Sequence, residues 1–267
     1  MDCIFGIFDV LGFTSFCENC EPVEAEKVLK IMDEFESEIP KLFMSAMDPR
    51  ETAPPEKRQI VIDRLRWLTF SDTIFVAMPV SPSDKPDALK FNMIFFMLLT
   101  SYISRRMFEI GLPMRGAIHT GNVTVSKRCF AGKAIVEAHR LSLRAKAAVT
   151  IVSNEAHALI LRSISAGTGF YDMLAGLIVE CNVSTGAGTS ESFKTLCWFY
   201  LQMGMIEPFN VHRDLRRFVE EKFTAHGKRL SGEQERHKAA ATEKIFTEWK
   251  IAEVLRAAEM SSRARQD

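Results

Sequence analysis

The sequence lacks an excess of either charge. Lys and Arg together number 34, as do Asp and Glu, so the formal net charge is zero. Such a chain has no global field to draw in nucleic acid or an anionic lipid surface, and neither is expected as a partner. It also lacks a membrane-length apolar run. The most apolar segment, ALKFNMIFFMLLTSYI over 88–103, contains Lys90 and Asn92 and is too short to cross a bilayer. The first residues have no basic n-region, so no signal peptide is expected. Six cysteines are present, and only Cys17 and Cys20 form a CxxC. Neither a second ligand pair nor a thioredoxin-like context accompanies it, which argues against a zinc or redox site. Reduced thiols in a cytoplasmic protein are the expectation. No internal repeat is evident. The 267 residues suffice for one large domain, or a domain with an appendage.

What is there reads as alternating strands and helices. Residues 3–10 are a short apolar run bounded by a turn, as suits a buried strand. LGFTS then leads into a helix, and Val28, Ile31, Met32, Phe35 and Ile39 recur at helical spacing over 21–39, with Pro40 as the expected stop. DPRETAPPEKR, 48–58, reads as an exposed loop. In RLRWLTFSDTIFVAMPV, 64–80, two apolar runs flank Ser71-Asp72 and predict a tight hairpin. A helix over 87–110 ends at Gly111. LPMRGAIHTGNVTV, 112–125, reads as a second hairpin around Thr120-Gly121-Asn122. Helices over 133–147 and 154–162 bracket a strand at 148–153. A short apolar patch lies at 173–183, and 192–203 reads as a last core strand. Residues 212–262 carry dense charge with an apolar stripe and predict two amphipathic helices joined near Gly232.

Two aspartates need explaining. Asp9 and Asp72 each sit where a strand meets a turn, inside apolar sequence. A carboxylate there is costly unless it is paired or bound to a cation. Two of them side by side repel, and a divalent cation resolves the repulsion. Oxygen ligands of this kind suit magnesium or manganese. Each aspartate also has a plain structural reading: Asp9 as a helix cap, Asp72 as a turn former. The amides of Gly12, Phe13, Thr14 and Ser15 open a helix, a natural seat for phosphates.

Four blocks sharpen this. FDVLGFTSF (8–16) resembles the FxDIxGFT opening of the class III nucleotidyl cyclases. LTFSDTIFVAMP (68–79) is similar to their second metal hairpin. LPMRGAIHTGNV (112–123) resembles their RxGIHxGxV segment, and CFAGKAIVEAHRLSLRA (129–145) the approach to their VNxAxR helix. The resemblance implies an α+β fold: a ferredoxin-like cyclase core with helices packed on an antiparallel sheet, over 1–205, plus a C-terminal helical extension over 206–267. It implies that Asp9, Asp72 and the Val10 carbonyl hold two Mn2+ or Mg2+ ions. Leu11, Gly12, Phe13 and Thr14 would cradle phosphates. Arg140 would steady the transition-state charge as the ribose 3′ oxygen attacks the α-phosphate and pyrophosphate leaves. It also implies a homodimer, with each site completed across the interface.

The departures bear on the substrate. The asparagine of VNxAxR falls on Val136. The two base-reading positions fall on Leu68 and Cys129, so the carboxylate that would meet guanine is missing. The lysine that usually neutralises pyrophosphate has Lys194 as its nearest candidate. GKAIVEAHRL, 132–141, resembles the bacterial Pycsar pyrimidine cyclases of anti-phage defence, which make cyclic UMP or cyclic CMP for a separate effector protein. Arg115 could donate to the carbonyls of uracil, which favours UTP over CTP; its alternative is an ion pair at a strand edge. A cytidylate or purine cyclase, or a cyclase-like module that binds nucleotide without turnover, are the other readings. His119 and His139 read as structural residues, and the Met-rich run over 93–107 as core.

Overall fold

The computed structural model describes residues 1–46, 55–81, 83–126, 129–164, 176–186, 188–198, 214–230 and 232–263. β1 (Asp2–Val10) leads into α1 (Phe13–Asn19), α2 (Pro22–Ala46) and α3 (Pro55–Arg64). The hairpin β2 (Arg66–Phe70) and β3 (Thr73–Pro79) follows, then α4 (Pro86–Glu109) and β4 (Met114–Asn122). These four strands lie in the order β2-β3-β1-β4, all antiparallel. That order, with helices after β1 and β3, is the split βαβ arrangement of ferredoxin-like folds. The sheet continues through β7 (Thr150–Val152), parallel to β4, and then β9 (Thr189–Leu196) and β8 (Ile178–Gly186). The α+β expectation therefore holds: a mainly antiparallel seven-stranded sheet with helices packed on it.

Alternation along the strands makes two faces. Ile4, Phe8, Val10, Ile74, Val76, Met78, Met114 and Ile118 point to one core, closed by Val28, Met32 and Phe35 of α2 and by the buried length of α4. Met93, Met97 and Met107 lie in it, so the methionine run is core. Cys3, Phe5, Ile7, Phe75, Ala77 and Ala117 point the other way. They are covered by Ala134 and Ala138 of α5 (Lys133–Arg144) and by Phe130 of a small hairpin, β5 (Thr124–Ser126) with β6 (Cys129–Ala131). The alanines let the helix sit close to the sheet.

Several boundaries differ from the sequence reading. α2 runs on to Ala46 rather than stopping at residue 40. A proline inside a helix removes one ladder bond at a cost of about 3 kcal/mol, and the burial of Val28, Met32 and Phe35 holds the helix in the turns that precede that loss. Of the expected loop over 48–58, residues 55–58 begin α3, with Pro55 at the first helical position where a missing N–H costs nothing; the rest lies outside the described residues. The expected hairpin at Thr120-Gly121-Asn122 is absent. Those residues continue β4, because its whole length pairs with β1, from Asp2 opposite Asn122 to Val10 opposite Met114. The antiparallel pairing downstream is instead that of β5 with β6. β9 ends at Leu196, and the 199–203 part of the expected last strand lies outside the described residues. So does the proposed domain boundary at 205/206. The Ser71-Asp72 hairpin, Gly111 (φ 82) beyond α4, β7 and α6 (Asn154–Ile164) are as the sequence predicts.

The C-terminal helices, α7 (Leu215–Thr224) and α8 (Glu233–Arg263), form part of the core. Val219, Phe223, Ile245, Phe246 and Trp249 share a cluster with Leu11, Phe108, Ile151, Cys181 and Trp198. Between the helices, Ala225–Gly227 make a tight turn with His226 at φ 59 and Gly227 at φ 73. The His226 ring stands edge-on to Phe16 of α1 and its Nδ1 meets Glu24 at 2.9 Å. Lys228, 6 % exposed, donates from Nζ to the Gly111 carbonyl. Its stem backs the turn after β1, where a Cβ on Gly12 would lie 3.8 Å from its Cδ.

Burial pulls the Lys228 ammonium from an ordinary 10.5 down to about 8. Between those values the unfolded chain binds a proton that the folded chain does not, so stability rises with pH across that window. Relative to Lys228→Met, which cannot titrate there, the wild-type protein is expected to gain about 3 kcal/mol between pH 8 and 10.5. Urea unfolding of both proteins across that range measures it. A constant difference would mean that the ammonium is hydrated.

Candidate active site

Asp9 lies on the face of β1 that buries Cys3, Phe5 and Ile7, one step beyond that packed cluster. Across from it stand Thr73 on β3 and Arg115 on β4. The Ser71-Asp72 turn folds back onto the same place. Ser71 takes a left-handed conformation (φ 54), and the Asp72 carbonyl accepts from the Val10 amide at 3.1 Å. The two carboxyl groups are thereby neighbours. Burial, and next the adjacent charge of Asp9, raise the Asp72 carboxyl above its usual range. Arg115 neutralises only one of the two. Its Nε and Nη2 donate to the same Asp9 oxygen, Oδ2, at 3.1 and 2.9 Å. The ion pair is mostly shielded, with side-chain exposures of 17 % and 24 %.

This donor set fits a divalent ion. Two adjacent carboxylates hold more negative charge than one guanidinium balances, and the Asp9 oxygen Oδ1 and the Asp72 carboxyl remain as hard oxygen donors. Among the described residues no group of three or more His, Cys, Asp or Glu side chains could hold a metal. Any ion here therefore relies on this pair, on backbone carbonyls such as that of Val10, and on oxygens from a ligand.

The other expected site residues fall into three groups. Around the turn, Leu11 is taken up by the fold: its side chain is core and its amide donates to the Pro113 carbonyl at 2.8 Å. Gly12 has φ 77, which glycine adopts without strain, and its carbonyl accepts from Phe16. Phe13 and Thr14 begin α1, where first-turn amides have no intrahelical acceptor. On the sheet face, Leu68 is opposite Phe75 and therefore shares the face of Asp9, with Phe70 beside it at 76 % exposure. Trp67 and Thr69 face the opposite side, where Trp67 packs on Phe35. Cys129 is exposed on β6. The third group is on α5. Arg140 is exposed, and Val136, one turn earlier, is 49 % exposed. Among the described residues no hydrogen bond or ion pair joins Arg140 to either aspartate.

His119 is structural. Its Nδ1 meets Ser153 Oγ at 2.8 Å and its ring stands edge-on to Phe5. His139 is exposed on α5. Lys194 donates to Asn154 Oδ1 at 2.9 Å. The six cysteines are free thiols. No helix among the described residues is long and apolar enough to cross a membrane.

Sequence reasoning placed Arg115 toward a bound base, with an ion pair as the alternative; the structure sets it on Asp9. The available signal was register. Once IFGIFDV pairs antiparallel with MRGAIHT, opposite charges stand directly across from each other.

No family model matches the sequence, and no curated protein matches it. Solved structures do. The adenylyl cyclase CyaB from P. aeruginosa is similar at 14% identity and a TM-score of 0.40, over 73% of this chain and 94% of its own. The guanylyl cyclase Cya2 is similar at 13% identity and 0.37, over 73% and 90%. The catalytic core of a rhodopsin-guanylyl cyclase with converted specificity, in complex with ATPαS, is similar at 12% and 0.43, over 73% and 92%. Likenesses at this level leave the function to the chain's own residues.

Proposed function

We propose that the protein is a class III nucleotidyl cyclase that converts UTP to 3′,5′-cyclic UMP and pyrophosphate. The observation that supports this most is the Asp9–Asp72 pair: two carboxyl groups held together with their charge only half balanced, next to a glycine turn that opens a helix. Two divalent ions bound there would neutralise the triphosphate and acidify the ribose hydroxyl. The chain's own residues do the rest. Asp9 and Asp72 fix the site at the end of β1. Gly12, Phe13 and Thr14 present amides to phosphate oxygens. The ribose 3′ oxygen forms its bond to the α-phosphorus as the bond to the β-phosphate bridging oxygen breaks. Arg140 stabilises the charge that develops there.

Arg140 is exposed on α5, and among the described residues no hydrogen bond or ion pair joins it to the aspartates of its own chain. This supports a homodimer in which each copy supplies the arginine to the other. Phe70, Val136 and Leu143, at 76 %, 49 % and 37 % exposure, are apolar residues such an interface could cover. Base choice rests on Leu68 and Cys129. Neither supplies the carboxylate acceptor that guanine or the cytosine amine would call for, whereas uracil presents two carbonyls. The Pycsar-like block over 132–141 supports a cytoplasmic anti-phage role, with a separate effector that binds the product.

A second reading has one observation behind it. Val136 leaves the site without the amide expected to orient the ribose, as a nucleotide-binding module without turnover could tolerate. One experiment separates the two. The purified protein is incubated with Mn2+ and each of ATP, GTP, CTP and UTP, and products are identified by mass spectrometry. Cyclic UMP with pyrophosphate is expected. Cyclic CMP or a cyclic purine would overturn the base assignment alone. No cyclic product from any of the four would overturn the cyclase reading.

A further inference from the structure

The end of α4 leaves three carbonyls that its own chain does not satisfy. The amides of Ile110, Gly111 and Leu112 return to the carbonyls of Arg106, Phe108 and Met107. The next three carbonyls, of Glu109, Ile110 and Gly111, accept from no backbone amide among the described residues. Each is met instead by a side chain from one short stretch more than a hundred residues later. Lys222 Nζ donates to Glu109 at 2.7 Å, His226 Nε2 meets Ile110, and Lys228 Nζ donates to Gly111. Three consecutive acceptors thus face three basic side chains, at the helix end where positive charge is favoured.

The stretch 222–228 is seated against backbone on two sides. A Cβ on Gly111 would lie 2.3 Å from the Ala225 Cβ, and one on Gly227 would lie 2.7 Å from the Asn19 carbonyl oxygen. The turn is therefore wedged between the end of α4 and the end of α1. Lys228 is buried, and among the described residues no carboxylate lies within ion-pair distance of it. A buried ammonium without a carboxylate is costly, and a methionine would fill the same space without that cost. On its other side, the connection from Glu109 to Pro113 holds the turn after β1. The Pro113 carbonyl accepts from the Leu11 amide at 2.8 Å, and Leu11 shares its buried cluster with Val219 and Phe223 of α7. The Lys228 stem stands behind Gly12.

We infer that Lys228, with Lys222 and His226, is a positioning residue: the C-terminal stretch fixes the α4–β4 connection, and that connection fixes Leu11 and Gly12. The consequence for substrate rests on the cyclase reading; the consequence for the turn does not. A turn already held in one conformation presents the amides of Phe13 and Thr14 with no ordering cost when a triphosphate arrives. A released turn must be ordered by the ligand, so the loss falls on affinity. Asp9, Asp72 and Arg140 lie outside the connection, and the chemical step keeps their contribution.

The test reads the turn first and turnover second, on the full chain. Lys228→Met keeps most of the stem and removes the donor. Amide hydrogen exchange at Leu11 and Phe16, both hydrogen-bonded in this turn, is expected to quicken about tenfold, the usual effect of losing one charge-assisted bond. Exchange along β8 and β9 should not change. Ile160→Ala, which empties a buried site on α6, lowers stability elsewhere and should leave Leu11 and Phe16 as they were. With Mn2+ and the triphosphate that the wild-type protein cyclises, Lys228→Met should raise KM about tenfold and alter kcat less than about twofold. Unchanged exchange at both amides in Lys228→Met would overturn the inference. So would an equal quickening in Ile160→Ala, which would reduce Lys228 to a contributor to global stability, or a fall in kcat with KM unchanged. A wild-type protein that cyclises none of the triphosphates would end the cyclase reading, and the exchange result alone would then decide whether Lys228 positions the turn.

Discussion

Asp72→Asn is expected to abolish turnover while the protein folds normally and, without metal, becomes more stable. The loss should be about a thousandfold or more, because a metal-held carboxylate contributes several kcal/mol of transition-state stabilisation. The rise in stability follows from the electrostatics. Burial and the neighbouring Asp9 charge raise the Asp72 carboxyl. The folded state therefore disfavours its ionised form, and that cost builds as pH rises above the ordinary carboxylate value and is complete above the folded one. An amide removes it and keeps the shape. Excess Mn2+ should reverse the order, since only the wild-type protein has both carboxylates to gain from binding. Cyclase rate and thermal midpoint, each with and without Mn2+, measure this. Retained activity in Asp72→Asn, or in Asp9→Ala, would sink the metal assignment. A lower metal-free midpoint in Asp72→Asn would sink the claim that the pair repels.

Trp249→Ala is expected to lower the stability of the whole described fold by about 4 kcal/mol, the usual cost of emptying a buried aromatic site. Trp249 is 0 % exposed. It packs against Phe246 and Trp198 with ring centroids 5.3 and 5.7 Å apart. Its Nε1–H donates to Thr195 Oγ1 at 3.0 Å, and Thr195 is itself fully buried on β9. Removing the ring leaves a cavity between helix and sheet and takes a hydrogen-bond partner from a buried hydroxyl. Urea unfolding followed by circular dichroism should give one cooperative transition at a lower midpoint. Two separate transitions, or a loss below about 1 kcal/mol, would mean that the C-terminal helices are an independent appendage.

Much of the central sheet was legible because its signals are local. An apolar run ending in DVLG, a Ser-Asp turn between two β-rich runs, and Gly111 after a long helix each predict an element without knowing its neighbours. β4 was misread for the opposite reason. Thr120-Gly121-Asn122 has good turn chemistry, and only its pairing with the first residues of β1 holds it extended. The C-terminal helices were found by their apolar stripe, but a stripe does not name its partner, so their union with Leu11 and Phe108 was not visible. Asp9 and Asp72 were found as anomalies in apolar surroundings. Arg115's hold on Asp9 depends on strand register, which brings together residues more than a hundred positions apart in sequence.

The turn between Ala225 and Lys228 has a consequence for the order in which the molecule is made. His226 rests on Phe16, and Lys228 backs Gly12. The turn after β1 is thus finished by residues synthesised long after it. A nascent chain can form the β2–β3 hairpin early, but contacts of such long sequence separation come late in folding. Until the ribosome has passed Lys228, the segment around Gly12 lacks its backing. Incomplete translation products would carry both aspartates yet no finished turn beside them, so a cell in which synthesis is interrupted would not accumulate fragments with a working site.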